Sequence, residues 1–480
     1  MKKKQNNIRV SFVDEPAAMD VTGSMVYVKT DTHNILIDAG LHQSNSKYDD
    51  FLVNKRRFKE FKPKDIDYIF VDHSHQDHLG IIPRLYKEGC SAKIIVAENN
   101  KQIMYRMLQD SAFIIDRDVE LINNQHGKNY EPLYTIDDVE TSIRHMSEYP
   151  VMKKVVVDET LAFKLIPNGH LPGSVQVLLY LKQNNVEKTL LVTGDIGNSK
   201  VHNYYVNKFT PVDYADLVIG ESTYGDRPDL KTGQKERNND IEKLFSIITQ
   251  QVCEMHGQVI IPTFANHRLQ FLTTMIYQVM KDYDFPYKVY IDTPLGIDIF
   301  NEYRKILSGD ELKLFDEVLN WDNLIFVRDA ESSKALVHSN EPCVILSTSG
   351  MCNNGRIRHH LKKAVPNPNA TVLFVGFSTP GSLAALLKDK NVKSISIDNK
   401  QYTCRCASFS LKSLSGHAPF CQLLDYYSSI NANRIVLHHG SEKAKLTGLK
   451  RRDKFRLTHG GGATKAHLLG ELLELTRTLF

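Results

Sequence analysis

The sequence lacks a long apolar stretch: its 480 residues contain no run of 18 or more apolar residues. A helix that crosses a bilayer needs about 20 such residues, so no membrane-spanning helix is predicted. The lysines at positions 2 to 4 could begin a secretory signal, but Arg9, Asp14 and Glu15 interrupt the apolar segment that a signal requires. We therefore expect a cytoplasmic protein without a membrane partner.

Cysteines are also few. Seven are scattered along the chain, and an odd, sparse set without a secretory signal predicts reduced thiols, not a disulfide framework. Cys404 and Cys406 form the one close pair, and a single C-x-C is a weak sign of a metal site. We expect these two thiols to lie in a buried strand.

An excess of charge of one sign is missing as well, with 60 basic and 56 acidic residues and a formal net charge of +4. The overall balance therefore does not indicate nucleic-acid binding. Two local runs are basic, Asn54–Lys64 and Lys443–Arg456. Such runs can attract phosphates or form a solvated helix face, and the sequence leaves both interpretations open.

The order of predicted elements indicates one α/β domain inserted into another. Residues 1–210 contain short apolar strands, residues 211–390 alternate strands with helices, and residues 391–480 return to short strands. In the middle region, buried strands such as Cys343–Ser347 alternate with helices such as Arg268–Asp282. This alternation predicts a parallel sheet flanked by helices.

Three histidines and an aspartate follow the apolar segment Asp67–Asp72, in the run from His73 to His78. Alternate residues of an extended segment point to the same side, so His73 and His75 can bind one ion together. As the chain turns, Asp77 and His78 can bind a second ion. Imidazole and carboxylate ligands suit zinc, and manganese accepts a similar set. This density of ligands predicts a two-metal site.

Further ligands must come from elsewhere in the chain. His170 lies in the turn-rich segment Gly169–Ser174 after an apolar strand, and Asp195 follows the end of another strand. Either residue alone would more often be a turn residue. At strand ends both can reach an ion, and the two oxygens of Asp195 can bridge two metals. Asp38 can orient the ligand histidines from behind.

In this order the segments resemble a known set of motifs. Asp38-Ala39-Gly40, His73 to His78, His170 and Asp195 are similar to motifs one to four of the metallo-β-lactamase superfamily. The resemblance implies a four-layer αββα sandwich with the metals at one edge of its sheets. It does not choose a substrate, because the superfamily includes lactamases, thioester hydrolases and nucleases.

The region 211–390 resembles the β-CASP domain, which is found in the nucleic-acid-processing branch of that superfamily. Glu221, His417 and His439 stand where motifs A, B and C of the family have their functional residues. A histidine at motif C marks the RNA-directed group, which implies that His439 binds the second metal. The pattern is similar to bacterial and archaeal relatives of the pre-mRNA 3′-end cleavage endonuclease, and more distantly to RNase J.

Two further segments match the β-CASP pattern with one replacement each. Ile261–Gln270 resembles the I-P-x-F-A-x-G-R-x-Q element with His267 in place of glycine, and the S-G-M…G-G-R loop has Asn354 in place of its first glycine. These replacements affect how closely the backbone can approach a phosphate. The candidates to steady the phosphates of RNA are Arg268, Ser349 and Gly350.

The resemblance implies hydrolysis of an RNA phosphodiester by a water activated between two zinc ions. Asp77 would orient that water while binding one metal. His417 would protonate the leaving 3′ oxygen, and Glu221 would hold and polarise its imidazole. The products would carry a 5′ phosphate and a 3′ hydroxyl. Endonucleolytic cleavage is the favoured interpretation, and 5′–3′ exonuclease activity stays open.

Two other functions use the same residues. One is a small-molecule hydrolase acting on thioesters or lactones, which the insert argues against because it would roof the site with a groove. The other is a non-catalytic RNA-binding subunit, which would usually lack metal ligands that are all present here. The sequence leaves open whether the chain forms a homodimer and which proteins bind it.

Overall fold

The computed structural model describes residues 8–13, 20–44, 46–227, 230–376 and 378–445, together with the backbone of 465–467. The chain forms two compact units. The first consists of Met1–Ser199, Val206–Leu230 and His417–Phe480, and the second of Lys200–Tyr205 and Lys231–Gly416. The basic run Lys443–Arg456 lies outside the described residues from position 446 onward.

The first unit contains two sheets, of which one has the strand order β1-β2-β3-β4-β5-β6. Its pairing is antiparallel from β1 to β3 and parallel from β3 to β6. The strands are β1 (Arg9–Phe12), β2 (Val26–Lys29), β3 (Asn34–Ile37), β4 (Tyr68–Phe70), β5 (Lys93–Ala97) and β6 (Met146–Tyr149).

The other sheet of the first unit has the order β21-β20-β11-β10-β9-β8-β7. The strands are β7 (Lys154–Val156), β8 (Leu161–Pro167), β9 (Val175–Gln183), β10 (Val186–Val192), β11 (Tyr214–Glu221), β20 (Asn431–His438) and β21 (Lys465–His467). Asn184 and Asn185 form the two-residue turn between β9 and β10, with φ of 51° and 61°. Positive φ at both positions matches the twist of a hairpin, and asparagine tolerates it better than most residues.

Helices cover the outer face of each sheet. The helices of this unit are α1 (Lys47–Lys55), α2 (Gln76–Leu79), α3 (Ile82–Lys87), α4 (Lys101–His126), α5 (Ile136–Arg144) and α13 (Phe420–Ser429), with a short 3₁₀ turn at Pro63–Asp65. Side chains of both sheets, such as Ile35 and Leu179, share one core. Leu36 packs in a second core with Leu108 of α4, and Leu191 packs in a third with Leu423 of α13. The layers are therefore helix, sheet, sheet and helix, which confirms the predicted αββα sandwich.

The second unit is built on one parallel sheet with the order β14-β13-β15-β12-β16-β19. Its strands are β12 (Gln258–Pro262), β13 (Lys288–Asp292), β14 (Leu324–Phe326), β15 (Cys343–Ser347), β16 (Ala370–Phe374) and β19 (Ala407–Ser410), and β17 (Ser394–Ile397) with β18 (Lys400–Thr403) forms a separate hairpin. The helices are α6 (Gln234–Ile248), α7 (Arg268–Met280), α8 (Pro294–Ile306), α9 (Gly309–Leu319), α10 (Ala330–His338), α11 (Ile357–Ala364) and α12 (Leu383–Lys388), and a π-helical segment spans Thr249–Glu254. This is the predicted parallel sheet flanked by helices.

The limits of the second unit differ from the 211–390 expected from the sequence. β11 pairs with β10 and β20 and so belongs to the first unit, while β19 pairs with β16 and belongs to the second. The unit therefore extends from 231 to 416. The pairing of a strand decides to which unit it belongs. The local sequence pattern does not reveal pairing partners that lie far apart in the chain.

The short segment Lys200–Tyr205 also belongs to the second unit. The guanidinium of Arg237, on α6, donates to the carbonyl of His202 at 3.1 Å and to the side-chain oxygen of Asn203 at 3.3 Å. Tyr205 is buried, and its hydroxyl lies 2.6 Å from that of Thr274. The segment is thus fixed by polar and aromatic contacts within this unit.

Cys404 and Cys406 do not lie in a buried strand, contrary to the expectation. They lie in the turn between β18 and β19, where they are partly buried and where the amide of Cys406 donates to the carbonyl of Val365 at 3.1 Å. In the described part of the chain, no helix has both the length and the apolar character of a membrane span. The cytoplasmic location stays a prediction.

Candidate metal centre

The predicted metal ligands lie where strands of the first unit end. In its second sheet the parallel strands β10, β11 and β20 are neighbours, and the register pairs Glu221 with His438. The carboxyl ends of these strands therefore meet at one edge. The site residues at such ends are His73 and His75 after β4, Asp77 and His78 in α2, His170 after β8, Asp195 after β10, Glu221 at the end of β11 and His439 after β20.

Two tight turns bring backbone and side chains close together at this edge. Asp38 and His439 have positive φ, 63° and 47°, a conformation that costs free energy in any residue but glycine and that clusters at functional sites. A Cβ atom on Gly40 would lie 1.6 Å from the carbonyl oxygen of Asp77. Glycine at position 40 therefore allows the turn after β3 to lie against α2.

One group of four ligand atoms converges around Asp195. The Nε2 atom of His73 lies 3.0 Å from Nδ1 of His75, and Nε2 of His170 lies 3.4 Å from the same atom. The Oδ2 atom of Asp195 lies 3.7 Å from Nε2 of His73 and 3.6 Å from Nε2 of His170. Three imidazoles and one carboxylate oxygen thus surround one point.

A second group contains the remaining predicted ligands. The Nε2 atoms of His78 and His439 lie 3.2 Å apart, and Oδ2 of Asp77 lies 3.6 Å from Nε2 of His439. The Oδ1 atom of Asp195 lies 3.6 Å from His78 Nε2 and 3.0 Å from His439 Nδ1. Asp195 therefore lies between the two groups, with Oδ1 facing Nε2 of His78 and the Nδ1 atom, not the Nε2 atom, of His439.

These spacings fit divalent metal ions. Four ligands at about 2.0–2.1 Å from a tetrahedral ion lie about 3.3 Å from one another, close to the separations in both groups. Buried imidazole nitrogens that face each other cannot all satisfy one another, since each neutral ring has one donor and one acceptor. A cation at the centre of each group would accept the remaining lone pairs.

The electrostatics of the first group favour neutral ligands. Burial lowers the pKa of His73 and of His75 to about 3, and burial with the neighbouring His417 lowers the pKa of His170 well below its usual value. Burial would also lower the pKa of His439, but Asp195 and Asp77 raise it to about 10. Carboxylates therefore stabilise positive charge in the second group, where a metal ion could replace the proton.

Carboxylates and a hydroxyl lie behind the ligand histidines. Oδ1 of Asp72 lies 2.7 Å from Nδ1 of His73, and Oδ2 of Asp38 lies 2.8 Å from Nδ1 of His78. The hydroxyl of Thr223 lies 3.2 Å from Nδ1 of His439. Such partners fix ring orientation in metal sites. The sequence predicted this supporting role for Asp38 but not for Asp72. The available signal for Asp72 was its position directly before His73 in the chain.

His417 lies beside Asp195 but is more accessible, with a side chain that is 21% exposed. Its backbone pairs with Gly197, and its Nδ1 atom lies 3.7 Å from Oε1 of Glu221 and 3.9 Å from Oδ2 of Asp195. Burial opposes protonation of His417, whereas Asp195 and Glu221 together raise its pKa. The geometry provides a protonatable imidazole at the edge of the ligand cluster.

Glu221 makes its shortest contacts with the backbone. Its Oε1 atom accepts from the amide of Ile196 at 2.6 Å, and Oε2 accepts from the amide of Thr223 at 3.1 Å. These bonds hold the loop after β10 against the turn after β11. Glu221 therefore fixes the backbone around Asp195 and also faces His417.

The predicted RNA-binding residues belong to the second unit. Arg268 is the first residue of α7, and with Gly350 it lines a cleft at the end of the sheet. Ser349 closes its own loop, because its hydroxyl donates to the carbonyl of Asn354 at 3.3 Å. Of the two glycine replacements, His267 adopts a positive φ of 63°, whereas Asn354 does not; in its loop Cys352 and Gly355 do.

Two family models match the chain in the regions built here. The metallo-beta-lactamase superfamily model matches residues 19–202, and the Beta-Casp domain model matches residues 269–387. The chain therefore contains a metallo-β-lactamase domain and a β-CASP domain.

Curated relatives match nearly the whole chain. A Thermus thermophilus protein named ribonuclease TTHA0252 is 29% identical over 439 residues, covering 90% of this chain and 93% of the relative. A transcription termination factor FttA from Methanocaldococcus jannaschii is 27% identical, covering 91% of this chain and 67% of the relative. A protein named probable RNase MJ4 from the same organism is 26% identical, covering 89% and 92%.

A solved structure supports the fold alone. A protein of unknown function from Enterococcus faecalis V583 superposes with a TM-score of 0.51 at 13% identity, covering 96% of this chain and 97% of that one. The metallo-β-lactamase domain, with relatives that are named ribonucleases, confirms the predicted enzyme class of metal-dependent hydrolases.

Proposed function

We propose that this chain is a metal-dependent ribonuclease that hydrolyses RNA phosphodiester bonds, leaving a 5′ phosphate and a 3′ hydroxyl. The observation that carries the proposal is a pair of adjacent ligand groups, one of His73, His75, His170 and Asp195 and the other of Asp77, His78 and His439. Oδ1 of Asp195 lies 3.6 Å from Nε2 of His78, and His417 lies beside Asp195. The names of the relatives that match most of both chains support RNA as the substrate.

The residues that would hold two ions are His73, His75, His170 and Asp195 for one, and Asp77, His78, His439 and Asp195 for the other. Zinc suits this set of nitrogen and oxygen donors, and manganese is the alternative. Two such ions would lower the pKa of a water and offset the charge that develops on the phosphate.

The protein's own groups would orient and protonate the reactants. Asp77, whose side chain is 23% exposed, would accept a hydrogen bond from the attacking water and so direct it toward phosphorus. His417 would donate its proton to the leaving 3′ oxygen, and the nearby carboxylates of Asp195 and Glu221 raise the pKa of its imidazole. Glu221 would act by fixing the backbone around Asp195 and by facing the imidazole of His417.

The experiment that tests the proposal is digestion of 5′-labelled RNA by the zinc-loaded protein, with a thioester substrate in parallel. Cleavage of RNA without hydrolysis of the thioester is expected. Intact RNA together with thioester hydrolysis would replace this function with that of a small-molecule hydrolase.

The same digestion separates the two modes of cleavage. RNAs with a 5′ monophosphate, triphosphate or hydroxyl should all give discrete internal fragments, since we propose an endonuclease. Immediate release of the labelled mononucleotide, dependent on a 5′ monophosphate, would instead identify a 5′–3′ exonuclease.

A further inference from the structure

A shallow cleft lies at the carboxyl end of the parallel sheet in the second unit. Pro262 and Phe374, the last residues of β12 and β16, line it together with Gly350 from the loop after β15. Three adjacent parallel strands therefore end at this cleft.

The topology of the sheet favours a ligand at this position. From β12 the chain continues through α7 to β13, beyond β15, whereas from β15 it continues through α11 to β16 on the other side of β12. The connections that leave the neighbouring strands β12 and β15 therefore run toward opposite edges of the sheet. In open α/β sheets, ligands bind in the crevice at such a point, outside the carboxyl ends of the strands.

Two cationic side chains line the cleft. Arg268 begins the 13-residue helix α7, whose N-terminus adds its own positive potential. The ammonium of Lys388 donates to the carbonyl of Gly376 at 2.7 Å and lies 5.1 Å from the centre of the Phe374 ring, which holds it at the wall. Among the described residues that line the cleft, none is acidic. The chemistry therefore suits an anion such as a phosphate.

An aromatic ring lies beside these cations. Phe264 is 41% exposed. One side of its ring rests on the loop after β15, because a Cβ atom on Gly350 would lie 3.0 Å from the ring. The ring is thus supported by this loop and partly accessible, and an accessible aromatic ring can stack on a nucleobase.

We propose that this cleft is a nucleotide subsite, in which an unpaired base stacks on Phe264 while a phosphate of the same strand pairs with Arg268 and Lys388. The inference rests on the proposed function, since RNA supplies the nucleotide, and it adds that the preferred RNA is single-stranded. Duplex RNA has no free base face to offer the ring.

The same unit contains a matched control. Phe409, on β19, is 39% exposed, and the ammonium of Lys243 lies 5.8 Å from the centre of its ring. Neither residue lines the cleft. An exposed phenylalanine and a lysine therefore occur together both in the cleft, as Phe264 and Lys388, and outside it, as Phe409 and Lys243.

The test is a binding titration of the metal-loaded full chain with fluorescent decauridylate, in a His417→Ala background that keeps the RNA intact. Phe264→Ala should weaken binding by about fivefold to a hundredfold, the usual effect of losing one stacked base. Lys388→Ala should weaken binding, and the slope of log affinity against log salt concentration should fall by about one because one fewer counterion is released.

The control variants Phe409→Ala and Lys243→Ala should bind RNA like the parent, and Phe264→Trp should retain the affinity. All variants should keep the parent's metal content and melting temperature.

The possible outcomes separate the subsite from the activity. If the parent neither binds RNA nor, with His417 restored, cleaves it, the proposed function fails. If the parent binds RNA and Phe264→Ala binds equally well, only the subsite is overturned. Equal losses of RNA affinity for Lys388→Ala and Lys243→Ala would indicate a general attraction of RNA to positive charge and would also overturn the subsite. Tighter binding of free uridine monophosphate than of decauridylate would assign the cleft to a free nucleotide and contradict the proposal.

Discussion

At the scale of single residues, Asp195 links the two ligand groups. Its oxygens face His73 and His170 on one side and His78 and His439 on the other, all within 3.0–3.7 Å. We therefore expect Asp195→Ala to lose both ions and all activity. Elemental analysis of the purified variant checks this, and retention of one full metal equivalent would show that the carboxylate is not shared.

His417 should behave differently, because it lies at the edge of the cluster. His417→Ala is expected to keep its metal content and to lose RNA cleavage by about a hundredfold or more, the usual contribution of a general acid. His126→Ala, which removes an exposed histidine from the end of α4, is the matched control. Normal cleavage by a fully metallated His417→Ala variant would contradict the proposed acid.

Asp72 should act on metal affinity through His73. Asp72→Asn keeps the shape of the side chain but removes the charge that lies 2.7 Å from Nδ1 of His73. We expect metal affinity to fall by about tenfold to a hundredfold, measured by competition with a chelator. The control is Asp118→Asn, which removes an acid paired with Lys47 on the surface. Equal affinities for both variants would assign Asp72 a purely structural role.

The sequence identified the residues that the fold brings together at this edge better than it identified their supporting partners. A dense run such as His73 to His78 carries its own signal, because few other arrangements explain it. Thr223 and Asp72 have no such signal, since their role depends on a distance set by the fold. Glu221 was predicted to act on His417, but its shortest bonds, to Ile196 and Thr223, depend on pairing between distant strands.

At the scale of elements, the hairpin between β9 and β10 gives a test of backbone conformation. Asn185 has φ of 61°, which glycine adopts freely and a β-branched residue does not. We expect Asn185→Val to cost about 1–2 kcal/mol of stability and Asn185→Gly to be neutral or stabilising. Thermal unfolding of the two variants measures the difference, and equal melting temperatures would contradict it.

The elements of the second unit show what local pattern can and cannot predict. Cys343–Ser347 was predicted with its observed bounds, because a buried parallel strand is a continuous apolar run. The helix predicted at Arg268–Asp282 ends at Met280, a difference typical of helix ends. Cys404 and Cys406 were placed in a strand because apolar character alone does not separate a strand from a partly buried turn.

At the scale of the whole molecule, the metals should stabilise the first unit. Ligands from four separate chain segments converge on one edge, so binding favours the folded state by linkage, by about 2.7 kcal/mol at a hundredfold excess over the dissociation constant. We expect a chelator to lower the melting temperature and to increase hydrogen exchange around His73 and Asp195. Strand β15 should not change, and a uniform change across both units would contradict the assignment.

The segment Lys200–Tyr205 has a consequence for dissecting the protein. A recombinant fragment of residues 231–416 would lack it, so Arg237 would lose its bonds to His202 and Asn203, and Thr274 its bond to Tyr205. The β-CASP unit is thus assembled from two pieces of chain, and the smaller piece acts as a built-in peptide ligand of the larger. Adding a synthetic peptide of this segment to the fragment should therefore restore stability that the fragment lacks alone.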